Sequence, residues 1–431
     1  MFYIVETKEQ LEEFYNKGFK DVFIEIIPYN NNIHPILNDV SLIYIRPLSD
    51  TKGYMLCINH NETLSLQIND VEQLLESFEK IYVQDKKSFL YYFQLKNCLD
   101  CSIIINNIIK PKSTIYDYFY NEYPHKNNVN LIIPLVKHYE ICEIIFNDLN
   151  QLFSQELPSH FEFYNNKAIL AFLKIESNGI KINKKKLYEK FEPTQEFYSI
   201  KDDKIFTHYN LYTTTHRPSN SFNNINFAAL NKENGCRKSF IPENDKFVEF
   251  DISGCHLMIV SKLIGYDFGD EDIHQSFAKM YGVSYDEAKK ISFRNLNGNI
   301  YKEYKDLEYF KKLQKYKDEL WEKFNKDGFV ESPISKYRFY KSNLDEMNPN
   351  KLLNYLIQNI ETEGNILILL DIHKILRGKQ SKIIHYIYDA MLIDYNIDEE
   401  GILEEISQVF NKHKFKIKTK IFEANYDNYT K

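Results

Sequence analysis

Two aspartates in this sequence stand where a carboxylate can do chemistry, each at the end of an apolar run. Asp251 follows residues 247–250, and Asp389 follows residues 383–388. Two converging carboxylates repel each other unless a cation lies between them, and Mg²⁺ takes oxygen ligands and bridges to phosphates. Two such ions about 3.5–4 Å apart are the standard arrangement for phosphoryl transfer. The pair therefore predicts a divalent-metal site, although either aspartate alone is more often a helix or turn cap.

The surrounding residues predict the elements that position these two aspartates. The stretch that begins at Phe247 is rich in Phe and Val and indicates a buried strand, and Ser253 is the expected N-cap of a helix that ends at Gly265. Residues 382–395 indicate two apolar strands that fold back through a tight turn at Asp389. If the two strands are neighbours in one sheet, both carboxylates reach the same point.

A third stretch predicts a helix with a mixed stripe on one face. Ser284 and Glu287 have the spacing of a capping box, and Gly298 is expected to end the helix. Positions four apart lie on the same face of a helix. One slowly turning stripe therefore carries Tyr285, Lys289, Phe293 and Asn297. Taken alone, this stripe is a weak indication of a ligand.

Composition limits the class of protein. The 431 residues suffice for two or three domains, and 43% hydrophobic with 27% charged residues is ordinary for a soluble globular protein. No apolar run has transmembrane length and the first residues lack a signal peptide, so we expect a cytoplasmic protein without a membrane partner. Six scattered cysteines predict reduced thiols. The formal charge of −7 argues mildly against nucleic-acid binding, although an acidic chain can still carry a basic stripe.

Taken together, these stretches resemble the family A (polymerase I-like) DNA polymerases over residues 160–431. Asp251 and Asp389 resemble the family's motifs A and C. The resemblance implies a template-directed DNA polymerase that transfers a nucleotide from a dNTP to a primer 3′-hydroxyl. It implies two Mg²⁺ ions, which Mn²⁺ can replace, held by both aspartates and the backbone carbonyl of Ile252. The family's further carboxylate beside motif C is Ala390 here.

The same resemblance assigns residues to the nucleotide. The predicted helix 285–297 resembles motif B of the family's fingers, so Lys289 would hold the triphosphate and Phe293 would stack on the incoming base. His274 matches a family histidine that donates to a phosphate. His256 stands five residues after Asp251, where the family carries a glutamate that blocks a ribose 2′-hydroxyl.

Motif B is imperfect in this chain. The family's arginine one turn before the lysine is Tyr285 here, and its tyrosine one turn after the phenylalanine is Asn297. Arg294 or Lys290 could replace the lost positive charge.

DNA-binding residues follow from the resemblance in the same way. Residues 213–220 resemble a Thr-rich strand that is followed by an arginine, so Arg217 would reach the primer terminus. Asn223 and Asn224 fall where the family reads the minor groove, and Gln358 would contact that groove near the primer end. An Asn- and Ser-rich surface loop explains this region equally well.

The resemblance also implies a fold class and a domain order. We expect an α+β protein with an antiparallel palm sheet, helical fingers and a largely missing thumb, preceded by an α/β exonuclease-like domain. Residues 1–135 would form that degenerate domain, 136–204 a helical connection with a thumb remnant, and 205–431 the palm. The fingers would lie at about 266–330.

Residues 1–135 lack the acidic pattern of a 3′–5′ exonuclease. We expect strands at 23–27 and 42–45 and a helix at 71–81. Two-metal hydrolysis needs an Asp-x-Glu on the first strand, where this chain offers Ile24-Glu25-Ile26. We therefore expect no exonuclease activity.

Two classes of function stay open. The first is the DNA polymerase, and the alternative is a catalytically inactive polymerase-like DNA-binding subunit of a replication complex. A missing thumb predicts a weak grip on primer–template DNA and a small accessory protein that docks near Lys184–Lys186. A primer-making role for the pair is a further hypothesis. Compact polymerases of this kind occur on mobile genetic elements such as staphylococcal cassette chromosomes, and we expect that setting.

Overall fold

The computed structural model describes residues 2–105, 128–189, 200–222, 225–230, 236–269, 271–427 and 429–430. The chain forms two compact units. The N-terminal unit comprises Met1–Leu173, Gln195–Asp202 and Phe222–Ile225, and the C-terminal unit comprises Lys174–Thr194, Asp203–Ser221 and Asn226–Lys431. The expected domain boundaries at residues 135 and 204 stay predictions. None of the described helices has the length and apolar character needed to cross a membrane.

The N-terminal unit contains a six-stranded mixed sheet. In the order of the sheet, its strands are Tyr3–Val5, Tyr54–Cys57, Val40–Pro47, Asp21–Pro28, Lys80–Val83 and Cys98–Asp100. The last three strands run parallel, and Val40–Pro47 is antiparallel to both of its neighbours. The described helices of this unit include Lys8–Tyr15, Ile68–Glu76, Lys86–Leu90, Cys101–Ile105, Leu135–Leu149 and Phe161–Phe163.

Both strands predicted in this unit are confirmed, but the helix predicted at 71–81 is wrong at its end. The helix stops at Glu76, and the Ser77 hydroxyl donates to the Leu74 carbonyl at 2.6 Å, which satisfies a backbone acceptor at the helix terminus. The following strand Lys80–Val83 is rich in residues that favour strands, and it pairs with Asp21–Ile24.

The C-terminal unit contains a five-stranded antiparallel sheet. In sheet order its strands are Lys382–Ile387, Ala390–Tyr395, Lys246–Ile252, Ile417–Phe422 and Tyr429–Thr430. We call the first two strands the hairpin, Lys246–Ile252 the central strand and Ile417–Phe422 the lysine strand. The predicted strands on both sides of Asp389 are therefore confirmed, and the central strand is paired on both edges.

Helices of the C-terminal unit include the site helix (Cys255–Leu263), the stripe helix (Tyr285–Asn297) and the long helix (Pro349–Ile375). The others named here are Ile273–Tyr281, Glu308–Asp327 and Ile402–Lys412. Strands Phe329–Glu331 and Arg338–Tyr340 form a separate antiparallel pair. Short elements wholly within this unit are helix Lys184–Tyr188 and strands Ile180–Lys181, Lys204–Ile205 and Tyr209–Asn210. Strand Ile200–Lys201 belongs to the N-terminal unit, and helix Ile169–Asn178 and strands Ser219–Phe222 and Ile225–Asn226 have residues in the ranges of both units.

The two helix starts predicted beside the site have different outcomes. Ser284 caps the stripe helix as expected, since its side chain accepts from the Glu287 backbone N–H. Ser253 is not the N-cap of the site helix; Gly254 holds that position with a φ of +60°. A Cβ at Gly254 would lie 2.5 Å from Ile273 Cγ2, so both conformation and space require glycine there.

Alternation along the central strand separates a core face from a site face. Val248, Phe250 and Ile252 are at most 1% exposed, and the Phe250 ring stacks on Phe410 with centroids 5.8 Å apart. Burial of each such side chain contributes about 1.5–3 kcal/mol. The opposite face of the strand carries Glu249 and Asp251, so core burial on one side fixes the direction of both carboxylates.

The hairpin is anchored by His385, which is fully buried. Its Nε2 lies 3.2 Å from the Phe227 carbonyl oxygen and its Nδ1 lies 3.2 Å from the Tyr209 hydroxyl. Burial lowers the pKa of His385 from 6.5 to about 4, so the ring is neutral at pH 7.

We therefore expect the chain to lose stability as the pH falls from about 6.5 to about 4. The unfolded chain binds a proton at position 385 in this range and the folded chain does not, so the stabilisation is complete above the unfolded pKa. The pKa change corresponds to on the order of 3 kcal/mol. Urea unfolding at pH 7 and pH 4.5 should show a smaller pH-dependent loss for His385→Gln than for the wild type. An equal loss in both proteins would contradict this assignment.

Candidate active site

Strand register brings the two predicted aspartates together. Asp251 lies directly opposite Ala390, the residue that follows Asp389, and the Ile252 backbone N–H donates to the Asp389 carbonyl at 2.9 Å. The turn between the hairpin strands is only Tyr388-Asp389, with Tyr388 at a φ of +56°. The tight turn therefore presents Asp389 beside the end of the central strand.

The electrostatics of Asp389 reflect this crowding. Burial, and after it the negative charges of Glu361 and Asp251, raise the pKa of its carboxyl from 3.8 to about 6. The buried Cys255 thiol lies in the same field, since burial, Glu361 and Asp389 all raise its pKa well above the usual value. The site is therefore short of positive charge close to Asp389.

A lysine compensates Asp251. Lys420 on the lysine strand donates from Nζ to Asp251 at 2.9 Å and to Glu249 at 2.6 Å. The Tyr426 hydroxyl also donates to Glu249, at 2.5 Å. Although burial opposes it, these two hydrogen bonds hold the pKa of Glu249 below its ordinary value. Sequence reasoning missed Lys420. The alternation of lysines at 416, 418 and 420 could have indicated it, because residues two apart in a strand lie on the same face.

Glu361 on the long helix is a second residue that sequence reasoning missed. It is 2% exposed, and its Oε2 lies 3.2 Å from Arg217 Nε and 3.3 Å from His256 Nε2. None of these three atoms has a hydrogen bond of good geometry within the described residues. No local pattern distinguishes Glu361 in the sequence, because the same helix carries other polar residues, including the buried Glu363. Its burial is visible only in the fold, where a buried charge needs a partner or a function.

The predicted DNA-binding residues lie partly at this site. The Arg217 guanidinium stacks on the Tyr388 ring, 3.8 Å from its centroid, next to the turn that carries Asp389. Gln358 is on the long helix one turn before Glu361, where its Oε1 accepts from the Thr215 hydroxyl at 3.3 Å. Asn223 and Asn224 lie outside the described residues, so their expected role stays a prediction.

The predicted nucleotide-binding residues of the stripe helix gather around His274. The His274 ring is 2% exposed, and its centroid lies 5.6 Å from that of Tyr285 and 5.7 Å from that of Phe293. Burial lowers the pKa of His274 to about 4, with Lys289 and Lys418 acting in the same direction. Lys289 is exposed on the same face of the helix.

The carboxylates suit a hard divalent cation. Asp251 lies on the central strand and Asp389 in the adjoining hairpin turn, and the Ile252 backbone N–H joins the two segments. Burial and the neighbouring carboxylates raise the pKa of Asp389, so added positive charge there is favourable. Glu361 is a third carboxylate close enough to act on Asp389. The Lys420 amine already neutralises one oxygen of Asp251, so an ion bound there shares this carboxylate with a lysine.

Comparison with known proteins identifies the class to which this fold belongs. No family model and no curated protein matches the chain. Among solved structures, the chain is similar to the POL domain of Pol1 from M. smegmatis in complex with DNA primer-template and dNTP. The TM-score is 0.71 at 15% sequence identity, and the similarity covers 99% of each chain. The chain therefore has a mixed α+β, polymerase I-like fold.

We expect a divalent cation to stabilise the protein at neutral pH through Asp389. The folded pKa of Asp389 is above the unfolded value, so its stabilising contribution is complete below about pH 3.8 and is lost as the pH rises through about 6. Mg²⁺ or Mn²⁺ should raise Tm at pH 7.5 and have a much smaller effect at pH 5.

Asp389→Asn supplies the matched test of this expectation. The neutral amide should raise Tm without metal by a few degrees, on the order of 2–4 °C, and abolish most of the metal-dependent increase. The exposed Asp398→Asn change is the control and should leave both values unchanged. An equal metal response in wild type and Asp389→Asn would show that the ion binds elsewhere.

Proposed function

We propose that this chain is a template-directed DNA polymerase that joins a dNTP to a primer 3′-hydroxyl. The observation that carries the proposal is the strand register that brings Asp251 and Asp389 side by side. The fold supports it, because the similar POL domain was solved with DNA primer-template and dNTP. We propose that this chain also binds primer-template DNA and a dNTP.

In this proposal Asp251, Asp389 and the Ile252 carbonyl hold two Mg²⁺ ions, which Mn²⁺ can replace. When bound, such ions lower the pKa of the attacking hydroxyl and neutralise charge on the triphosphate. The rest of the work is positioning and electrostatic stabilisation by the protein. Arg217 is fixed between Glu361 and the Tyr388 ring, where a guanidinium can contact the primer end.

Four residues are proposed for the nucleotide and four for DNA. Lys289 and His274 would contact phosphates, Phe293 would stack on the base and His256 would lie at the sugar. The proposed DNA contacts are Arg217, Asn223, Asn224 and Gln358. The short distances among His274, Tyr285 and Phe293 support a common pocket for the nucleotide.

The second candidate is an inactive polymerase-like DNA-binding subunit, and one observation favours it. Lys420 Nζ forms an ion pair with Asp251 at 2.9 Å, so a lysine already neutralises one of the proposed metal ligands. Ala390 also stands where a further carboxylate would help to hold metal. Retention of both aspartates in one register favours the enzyme.

Single-turnover primer extension separates the two candidates. We expect the wild type to extend a primer with Mg²⁺ or Mn²⁺. Asp389→Ala should lose activity by at least about two orders of magnitude, because it removes a proposed ligand of the metal ions that stabilise the developing charge. The exposed Asp398→Ala change is the control and should extend normally. If the wild type and Asp389→Ala are equally silent with both metals, the enzyme proposal fails.

The N-terminal unit, which we interpret as an exonuclease-like domain, contains a buried aspartate whose two oxygens are satisfied by backbone donors. Asp100 is fully buried, and its two oxygens accept from the backbone N–H groups of Lys86 at 2.8 Å and Ile103 at 3.0 Å. Lys86 and Lys87 are both buried in this unit, and burial lowers the pKa of Lys86. Backbone donors and lysines thus occupy the surroundings that metal ions would need.

We therefore expect no 3′–5′ exonuclease activity. A primer with a mismatched 3′ end should keep its length with Mg²⁺ or Mn²⁺ over the time in which the wild type extends a matched primer. Metal-dependent shortening that disappears in Glu25→Gln or Asp100→Asn would overturn this interpretation of the N-terminal unit.

Sugar selection is expected to depend on His256 together with Glu361. An imidazole can donate to or accept from a ribose 2′-hydroxyl, so we expect weak discrimination against ribonucleotides. His256→Glu alone would place a carboxylate against the buried Glu361 and destabilise the fold. The informative variant is therefore His256→Glu with Glu361→Gln.

The measurement is the ratio of kcat/KM for dNTP to that for rNTP. This ratio should rise by about tenfold or more in the double variant, and Glu361→Gln alone is its control. If His256 excludes the hydroxyl by bulk alone, the ratio will not change, and the hypothesis is wrong.

The proposed setting includes an accessory protein and a mobile genetic element. Lys184 on helix Lys184–Tyr188 is paired with Asp203 at 2.8 Å, and residues 190–199 beyond this helix lie outside the described part of the chain. The largely missing thumb, the small accessory protein that replaces it, a primer-making role and a cytoplasmic location stay predictions.

A further inference from the structure

The lysine strand carries a row of two lysines, Lys418 and Lys420, on the site face of the sheet, and Lys416 directly precedes the strand. Lys418 and Lys420 alternate within the strand, so their side chains leave the backbone on the same side. In the register, Lys418 lies opposite Asp251 and Lys420 opposite Glu249. Directly opposite residues share one face of an antiparallel sheet, so this row lies beside the two carboxylates.

Two of the three lysines are already used by the protein. Lys416 Nζ donates to the backbone carbonyls of Gly269 at 3.2 Å and Glu271 at 2.8 Å. Lys420 Nζ neutralises Glu249 and Asp251. Both amines therefore have strong acceptors and structural roles.

Lys418 differs from Lys420 because its partner is neutral, and it differs from Lys416 because it lies within the strand, directly opposite Asp251. Its Nζ donates to the Tyr285 hydroxyl at 2.6 Å, and no described carboxylate lies within ion-pair distance of it. The side chain is exposed. A hydrogen bond to a neutral hydroxyl orients the amine and leaves its charge for an anion.

The surroundings of Lys418 are suited to a phosphate chain. Tyr285 belongs to the stripe helix, on which Lys289 follows one turn later. His274 packs on Tyr285, and its buried Nδ1 has no hydrogen-bond partner among the described residues. Lys418 thus lies opposite Asp251, and both Lys418 and Lys289 are close enough to His274 to act on its charge. Ammonium groups, an imidazole nitrogen and a carboxylate that can bind metal are the groups that a triphosphate with its cation requires.

We propose that Lys418 binds the phosphates of the incoming nucleoside triphosphate from the sheet, facing Lys289 on the stripe helix. The inference rests on the proposed function and adds a residue to its nucleotide site. Lys418 would also supply the positive charge that is lost where Tyr285 replaces the family's arginine. Arg294 was one of the cations expected to replace this charge, but its guanidinium stacks on the Tyr301 ring, 4.8 Å from the ring centroid. Lys418, in contrast, contacts Tyr285 directly.

The test is equilibrium binding of dATP and of inorganic tripolyphosphate, each with Mg²⁺, to the full chain by calorimetry. Lys418→Met should weaken binding of both probes by about tenfold or more, since a charge-assisted contact is lost. Lys418→Arg should restore most of the affinity. Lys290→Met and Arg294→Met test the competing cations and should bind both probes as the wild type does.

Tyr285→Phe distinguishes phosphate binding from a structural latch. It removes the hydroxyl and keeps the lysine charge, so affinity should change by less than about threefold. A latch between Tyr285 and Lys418 would make Tyr285→Phe and Lys418→Met equal in both affinity and Tm. That result, or wild-type affinity in Lys418→Met, overturns the inference.

Primer extension with the same preparations separates this inference from the proposed function. Wild type that extends primers while Lys418→Met retains full affinity contradicts only the role of Lys418. Wild type that binds tripolyphosphate through Lys418 and extends no primer contradicts only the polymerase. Wild type that binds neither probe contradicts the inference whatever the extension assay shows.

Discussion

Mutual repulsion among carboxylates is the constraint on which the C-terminal unit depends. The register of the central strand and the hairpin brings Asp251 and Asp389 together, and the buried Glu361 adds a third negative charge. Repulsion of this kind must be offset, because the half-buried surroundings screen charges poorly. Lys420 and Arg217 supply positive charge, His256 Nε2 lies 3.3 Å from Glu361 Oε2, and each of the three residues comes from a different segment. The arrangement of the sheet and the long helix is thereby tied to the balance of charge.

This compensation is incomplete, which has a functional consequence. Lys420 forms ion pairs with Asp251 and Glu249, while Arg217 and His256 lie within ion-pair distance of Glu361. Asp389 has no ion pair of its own among the described residues, and burial together with the charges of Glu361 and Asp251 raises its pKa. This carboxyl lies in the turn between the hairpin strands. Competition between Lys420 and a divalent cation at Asp251 is therefore the physical difference between the active and inactive candidates.

In the N-terminal unit, by contrast, the buried carboxylate of Asp100 is fully satisfied by hydrogen bonds. Both oxygens of Asp100 accept backbone N–H groups, and two lysines are buried nearby in sequence, at 86 and 87. Hydrogen bonds that satisfy a buried carboxylate stabilise a fold and leave little for a ligand. Catalytic sites, in contrast, retain polar groups whose partners are missing until substrate arrives. This contrast is the reason that we assign chemistry to the C-terminal unit alone.

Local sequence determined the elements around the site. Apolar runs on both sides of Asp389 predicted the hairpin, the run before Asp251 predicted the central strand, and Ser284 with Gly298 predicted the bounds of the stripe helix. These patterns depend on neighbours within a few residues, so the sequence alone reveals them. The cap at Ser253 was wrong because Gly254 is required by contact with Ile273, which is distant in sequence.

Tertiary structure alone decided which charges meet. Lys420 reaches Asp251 across 169 positions and Lys418 reaches Tyr285 across 133, through a strand order that no local pattern contains. Glu361 was unremarkable on its helix until the fold brought Arg217 and His256 against it. Periodicity reports which face of an element is buried, whereas ion pairs depend on the order of strands and the packing of helices. The sequence by itself therefore determined the two aspartates and their elements, and the fold determined the cations that accompany them.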